Sequence, residues 1–320
     1  MPRSVLLLVN RSKPQVADAL PAIRDLAQRY GTLAGELDHN SIPGSATDFP
    51  IRPDLLVVLG GDGTLLSQAR RFVHLGLPMI GVNLGKLGYM SEFDPDSLAR
   101  QAPGLFGNGP LVISDRTMIR AEVFRPSGGG SPNGPSHPVQ PSFVGLALND
   151  CVITAGPPYR MIEVGLRLGG VEGPILRGDG VIISTPVGST GYSVSAGGPI
   201  VSPELDSLAV TPIAAHSLSF RPIVVSSRTE IELTVLRSNP VRNAGLWEAG
   251  GAVSPDMAPP MGTTMVLDGQ VLRPVTEGER IVCRGHHQPI RLVRNVESNP
   301  WQTLVRKLHW ARPPGTGGSG

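Results

Sequence analysis

The chain has 320 residues, a formal net charge of +2 and two cysteines. That length holds a large core and favours two domains. A charge so close to neutral gives no electrostatic case for nucleic acid or an anionic membrane surface. Cys151 and Cys283 each lie inside an apolar run, so two inert buried thiols in a reducing compartment are expected, not a disulfide.

The first apolar run, Val5–Val9, is too short for the core of a secretory signal and reads as a buried strand. No segment is long enough to span a bilayer, and a cytoplasmic protein is expected. A helical pattern follows from Gln15 to Arg29, with Leu20, Ile23, Leu26 and Ala27 on one side. Leu55–Leu59 is a second buried-type strand, leading into a helix after Thr64, and Pro78–Val82 is a third strand. Strands separated by helices imply a parallel sheet whose ligands lie beyond the carboxyl ends of the strands.

From about Leu111 the chain turns strand-rich, with short alternating or β-branched runs at Met118–Phe124, Val144–Leu148, Cys151–Thr154, Ile162–Leu168, Gly180–Ser184, Ile223–Val225, Ile231–Leu236, Met265–Leu267 and Ile281–Cys283. The expected fold is therefore an α/β N-terminal domain with a parallel sheet (1–112) and a mainly β C-terminal domain (113–290). Segment 291–312 is expected to pack back on the first domain through the spacing of Trp301, Leu304, Val305 and Leu308, with a disordered tail at 313–320. Pro126–Pro141 and Asn239–Gly262 read as insertions.

Chemistry concentrates first in Gly60-Gly61-Asp62-Gly63-Thr64, directly after the second strand. The glycines admit a ligand close to the backbone, and a helix start offers N–H groups to phosphate. Asp62 beside phosphates requires a metal ion or a proton to accept, which points to phosphoryl transfer; a plain Asp-Gly turn is the other reading. The second concentration is Arg177–Val201, where Ser189, Thr190, Ser193 and Ser195 supply short donors and acceptors among glycines that permit close approach. Such a surface suits a flat polar ligand such as a base and ribose; a ligand-free Gly/Ser loop is the alternative. Asn149-Asp150 reads as a hairpin corner or as a pair for ribose hydroxyls. His286-His287 has no Cys or carboxylate at ligand spacing and reads as a surface pair, so no residue is assigned as a metal ligand.

Taken in order, GGDGT at 60–64, NLGKLGYM at 83–90, ND at 149–150, DGVIISTPVGSTGYSVSAGGPIV at 179–201, TPIAAHSLSFRPIVV at 211–225, VLDGQ at 266–270 and NPWQTLVRKLHW at 299–310 resemble the NAD kinase family. GGDGT also occurs in lipid kinases and phosphofructokinases; the long segment at 179–201 is the specific one. The resemblance implies an ATP-dependent enzyme that phosphorylates the adenosine-ribose 2′-hydroxyl of NAD to give NADP, with Mg2+ or another divalent cation. It also implies a homo-oligomer, a dimer or tetramer. It places Asp62 at the reacting phosphates and ribose as base or metal-linked group, with Gly61, Gly63 and Thr64 shaping the phosphate loop. Asn149 and Asp150 would hold ribose hydroxyls, Arg177 and Asp179 would line the dinucleotide site, and Thr190, Tyr192 and Ser195 would surround adenine and ribose. His216 falls where the family places a histidine near the diphosphate, or is structural.

Three positions depart from the family pattern: Asp150 where Glu is frequent, Gly191 for Ala, and Val187 for a hydroxyl residue. Gly81–Lys86 lacks Walker A spacing, so glycine-loop amides are expected to hold the donor in place of a P-loop lysine. A lipid kinase and a dinucleotide sensor without catalysis are the competing readings. Retention of Asp62 argues against the sensor, and the 179–201 segment against the lipid kinase.

Overall fold

The structure, a computed structural model, describes residues 1–41, 51–85, 89–126, 140–217, 219–241, 247–248, 262–299, 302 and 305. It divides into two compact units: Met1–Gln68, Leu77–Ser114 and Arg291–Gly320 form the first, Ala69–Gly76 and Asp115–Ile290 the second. The insertions at 126–141 and 239–262, the side chains of Trp301, Leu304 and Leu308, and the tail fall wholly or largely outside the described residues.

The first unit is built from β1 (Ser4–Val9), α1 (Pro14–Tyr30), β2 (Thr32–Asp38), β3 (Leu55–Leu59), α2 (Asp62–Phe72), β4 (Pro78–Val82), α3 (Pro95–Phe106) and β5 (Ile113–Arg116). β1 and β3 are buried at every position, as strands covered on both faces must be, and their runs SVLLLV and LLVVL show no alternation. α1 buries Val16, Leu20, Ile23 and Ala27, one stripe at three- and four-residue spacing. Helix α3 was not expected; it carries Pro95 in its first turn and Pro103 and Gly104 within it. Asp94 overrides them with a capping box: it accepts from the Ser97 N–H at 2.7 Å while Ser97 Oγ accepts from the Asp94 N–H at 3.1 Å. Strand β2 also escapes a sequence reading, since its Gly35 and Glu36 sit on a half-exposed edge.

The second unit contains β6 (Ile119–Phe124), β7 (Phe143–Ala147), β8 (Asp150–Thr154), β9 (Ile162–Leu168), β10 (Val171–Gly178), β11 (Gly180–Ser184), the single turn α4 (Tyr192–Ser195), β12 (Ser207–Ile213) and β13 (Ile223–Ser226). It continues through β14 (Ile231–Arg237), β15 (Trp247–Glu248), β16 (Thr264–Leu267), β17 (Val271–Pro274) and β18 (Arg280–Gly285). A last strand, β19 (Ile290–Val293), pairs in parallel with β4, Leu292 opposite Met79. The first sheet thus runs β2-β1-β3-β4-β19-β5, and its pairs β1–β2, β1–β3, β3–β4 and β4–β19 are all parallel.

The second unit holds two antiparallel sheets, β10-β9-β14-β18-β6-β7 and β13-β12-β11-β8-β16-β17-β15. Alternate residues of both enter one core: Ile119, Ala121 and Val123 from β6, Ile162, Val164 and Leu166 from β9, Cys151 and Ile153 from β8, Val181 and Ile183 from β11. Cys151 and Cys283 are free and fully buried there, and the contact with Cys283 together with burial holds the Cys151 thiol well above its ordinary value. Among the described residues no helix is long and apolar enough to cross a membrane.

Strand β11, interior to the seven-stranded sheet, tolerates no side chain at its start. A methyl group on Gly180, whose φ is +159°, would meet the Ile153 carbonyl oxygen at 2.1 Å. Gly180→Ala should therefore lower stability by about 2 kcal/mol or more. Urea unfolding of the variant at wild-type stability would show that β8 and β11 do not pack this way.

Candidate active site

In the first unit the glycine loop follows β3 and opens α2 at Asp62, three residues before the sequence placed the helix. Thr64 and Leu65 donate to the Gly61 carbonyl at 2.9 and 3.1 Å, so the first turn is wound by Gly61. Asp62, half-buried, turns its carboxylate to the loop after β4. Oδ2 accepts from the Tyr89 N–H at 2.7 Å, and Oδ1 from Ser91 at 3.0 Å and Met90 at 3.4 Å. Thr64 is buried, and its Oγ1 accepts from Asn10 Nδ2 at 2.9 Å, which ties the end of β1 to the glycine loop.

In the second unit Asn149 and Asp150 form the corner between β7 and β8. The corner hangs on Asp268, just past β16, whose side chain is fully buried. Its carboxylate accepts from the N–H groups of Leu148 (3.0 Å), Asn149 (2.7 Å) and Asp150 (3.3 Å), and its own N–H donates to the Asp150 carbonyl at 3.0 Å. Arg70 closes the arrangement, 2.8 Å from Asp268 and 2.7 Å from Gln270 Oε1. On the other side Thr185 Oγ1 donates to the Leu148 carbonyl at 2.6 Å and its N–H to the Asn149 carbonyl at 2.8 Å. Gly188 backs onto the same carbonyl so closely that a methyl group there would sit 2.0 Å from it. The backbone of the corner is fixed from three directions, while the Asn149 side chain makes no hydrogen bond among the described residues.

Asp150 is buried without a hydrogen-bond partner for its carboxyl among the described residues. Burial, and then the charge of Asp268, push that carboxyl up from 3.8 to about 7.

The hydroxyl loop divides into two classes. Ser189 and Ser193, expected to face a ligand, are fully buried: Ser189 Oγ donates to the Pro186 carbonyl and accepts from Val201, and Ser193 Oγ bonds Thr211 at 3.0 Å. Thr190 turns its hydroxyl to the Val187 carbonyl at 3.1 Å, whereas Tyr192 and Ser195 are exposed.

Arg177, Asp179 and His216 gather elsewhere. Arg177 is exposed and ion-paired with Glu163 at 3.3 Å, its carbonyl accepts from the His216 N–H at 2.8 Å, and Asp179 is exposed with its N–H on Ile213. His216 lies in the loop after β12, not in a strand. In the register of β8 and β11, Ser184 faces Asp150 and Gly180 faces Thr154, so Asp179 and Asp150 occupy opposite ends. Five strand steps separate them by about 16 Å. The structure therefore brings the predicted dinucleotide residues together as two clusters, not one. His286 and His287 line a separate cavity of about 410 Å³ with Glu204 and Asp206, where burial and the charge of His287 lower the His286 value.

Comparison with known proteins supplies the family. Residues 41–109 match the ATP-NAD kinase N-terminal domain and residues 148–246 the ATP-NAD kinase C-terminal domain. An NAD kinase of Heliobacterium modesticaldum is 34% identical over 97% of this chain and 99% of its own length. One from Magnetococcus marinus is 35% identical over 82% and 76%. The chain belongs to the NAD kinase family. The same fold is seen in yeast NADH kinase complexed with NADH (TM-score 0.76, 22% identity, 99% of this chain and 90% of that one) and in an Archaeoglobus fulgidus NAD kinase in complex with ATP (TM-score 0.66, 24% identity, 95% and 98%).

Asp62 and its loop lie in the first matched span, and Asn149, Asp150, Arg177, Asp179, Thr190, Tyr192, Ser195 and His216 in the second. Asp268, Arg70, Thr185 and Asn10 were missed as site-building residues. Asp268 stands in VLDGQ, a stretch the family resemblance includes, but no rule of spacing says that its carboxylate reaches back to Asn149.

The folded protein holds the Asp150 proton more tightly than the unfolded chain does. Its contribution to stability is therefore fully present below pH 3.8 and is lost as the pH rises through about 7. Asp150→Asn should leave the melting temperature near wild type at pH 4 and raise it at pH 8, by an amount worth a few kcal/mol. A difference that does not change between the two pH values would remove the buried ionisation from the account.

Proposed function

We propose that this chain transfers the γ-phosphoryl group of ATP to the 2′-hydroxyl of the adenosine ribose of NAD, giving NADP and ADP. ATP-dependent phosphorylation of NAD is the activity of the family to which the chain belongs; the acceptor hydroxyl and the residue roles are this proposal. The observation that carries it is the glycine loop that ends β3, with Asp62 fixed at its centre by three backbone amides. Phosphoryl transfer needs positioning and charge neutralisation more than covalent chemistry. A carboxylate has about four acceptor positions. Three are taken here, which leaves one for a ribose hydroxyl proton. Asn149 and Asp150 would take the ribose hydroxyls, with Tyr192 and Ser195 flanking the base.

Among the described residues no three His, Cys, Asp or Glu side chains gather to hold a metal. Magnesium would instead be carried on the donor phosphates, keeping most of its waters, and would offset charge on the transferring group. Two free, buried cysteines fit a cytoplasmic enzyme.

We infer a homo-oligomer, a reading supported by the two clusters at opposite ends of β11. A second copy that presents its Arg177–Asp179–His216 cluster to the Asn149–Asp150 corner would complete one dinucleotide site. Asn149→Ala and Asp179→Ala chains should each be nearly inactive and regain activity when co-refolded. No recovery in a mixture shown to contain heteromers would place both clusters on one chain's ligand or dismiss one of them.

The direct assay incubates the protein with NAD, ATP and magnesium and detects NADP with an NADP-specific dehydrogenase. Asp62→Asn should lose ~100-fold or more in turnover, while NAD affinity by calorimetry stays within a few-fold. Near-wild-type turnover in the variant would defeat the role of Asp62; NAD binding without turnover in the wild type would identify a sensor.

A further inference from the structure

We propose that Lys13 is a donor-binding residue, its ammonium taking a phosphate oxygen of ATP over the glycine loop. This rests on the reading of that loop as the phosphoryl-transfer site. Amides alone were expected to hold the donor, because no lysine stands at Walker A spacing. The structure brings one from another part of the chain.

Asn10, directly after β1, is nearly fully buried. Its N–H donates to the Leu59 carbonyl at 3.1 Å and its Nδ2 to Thr64 Oγ1 at 2.9 Å. Its Oδ1 accepts from the Ser12 N–H at 3.2 Å, and the Lys13 N–H donates to its carbonyl at 3.3 Å. One buried amide side chain thus fixes the turn 10–13 against the loop 60–64.

Lys13 then sits just before Pro14, which opens α1, and its side chain makes no capping hydrogen bond. The ammonium instead stands over Gly61. A methyl group built on that glycine would meet Lys13 Nζ at 3.2 Å and, chain neighbours aside, nothing else within 4 Å among the described residues. Among those residues the space above Gly61 is open apart from one cation.

Among the described residues that cation has no carboxylate partner. Arg11 and Arg24 share Glu36, Arg100 takes Glu297 and Arg294 takes Glu92, yet Lys13 makes no ion pair among the described residues. Asp62 does not serve as its partner, because its oxygens face Tyr89, Met90 and Ser91. An exposed, unpaired ammonium on a rigid turn, beside an open glycine backbone, is suited to a multiply charged phosphate chain. Lysine binds phosphate in this way as a point charge, without the forked geometry that arginine requires.

The test compares wild type with Lys13→Met, which keeps the length of the side chain and removes its charge, and with Lys13→Arg. A charge-assisted contact is worth about 1.5–3 kcal/mol. Lys13→Met should therefore raise KM for ATP by ~10-fold to ~100-fold, leave KM for NAD and the melting temperature unchanged, and bind inorganic tripolyphosphate correspondingly more weakly by calorimetry. Lys13→Arg should recover a substantial part of both losses. Unchanged tripolyphosphate binding and unchanged KM for ATP in Lys13→Met would overturn the proposal, as would equal rises in the two KM values. A wild type that binds tripolyphosphate through Lys13 but forms no NADP would instead overturn the kinase reading and leave an anion site at this loop.

Discussion

One carboxylate gripping three consecutive backbone N–H groups is the contact on which each unit's ligand loop depends. Asp62 holds residues 89, 90 and 91, and Asp268 holds 148, 149 and 150. Hydrogen bonds to a charged acceptor are roughly twice as strong as neutral ones. Two such triplets give loops without regular structure a fixed backbone at the cost of one acidic residue each. In both cases the acid lies far along the chain from the amides it binds, so the loop forms only when its own unit has folded. The site geometry is thereby coupled to the stability of each core.

The remaining precision comes from places where no side chain fits. Gly188 lies against the Asn149 carbonyl and Gly180 against the Ile153 carbonyl, both at distances a methyl group cannot share. These glycines bring β11 and the loop after it into contact with the corner at Asn149. Thr185 then bonds that corner through both its hydroxyl and its N–H. The Gly/Ser-rich composition of 179–201 serves two purposes: Ser189 and Ser193 stitch the loop internally, which leaves Tyr192 and Ser195 at the surface.

The change from an α/β to a mainly β fold along the chain was legible because burial writes itself into periodicity. Val5–Val9 and Leu55–Leu59 are unbroken apolar runs in a parallel sheet, and Ile162–Leu168 alternates as a half-buried strand should. What escaped was set by contacts that periodicity does not record. Pro103 and Gly104 disguise α3, which a cap at Asp94 starts and burial of Leu98, Ala102, Leu105 and Phe106 holds. The Gly60–Thr64 motif drew attention to Asp62, and the Asn149-Asp150 pair to the corner after its strand, because such residues at a strand end have a local meaning. Lys13 and Asp268 have none until the chain folds, and the sequence reading passed over both as site residues. It read Arg177–Val201 as one surface, and did not foresee that strand register sets Asp179 at the far end of β11 from Ser184, which faces Asp150 on β8.

The contrast between Asp150 and Asp268 shows how neighbours, not residue type, assign a proton. Both carboxyls are buried and stand close enough for the charge of one to act on the other. Asp268 has an arginine and three N–H donors, so its negative charge is matched on every side. Asp150 has none of these among the described residues; burial, and then the charge of Asp268, raise its carboxyl to about 7. The short side chain keeps the carboxyl inside this field instead of letting it reach out to solvent. A ribose bringing two hydroxyl donors would supply what Asp150 lacks, and its binding would favour the ionised form. The corner is thus built with its backbone satisfied and, among the described residues, one carboxyl without a hydrogen-bond partner, and under the proposed function that carboxyl is where the ribose diol would bind.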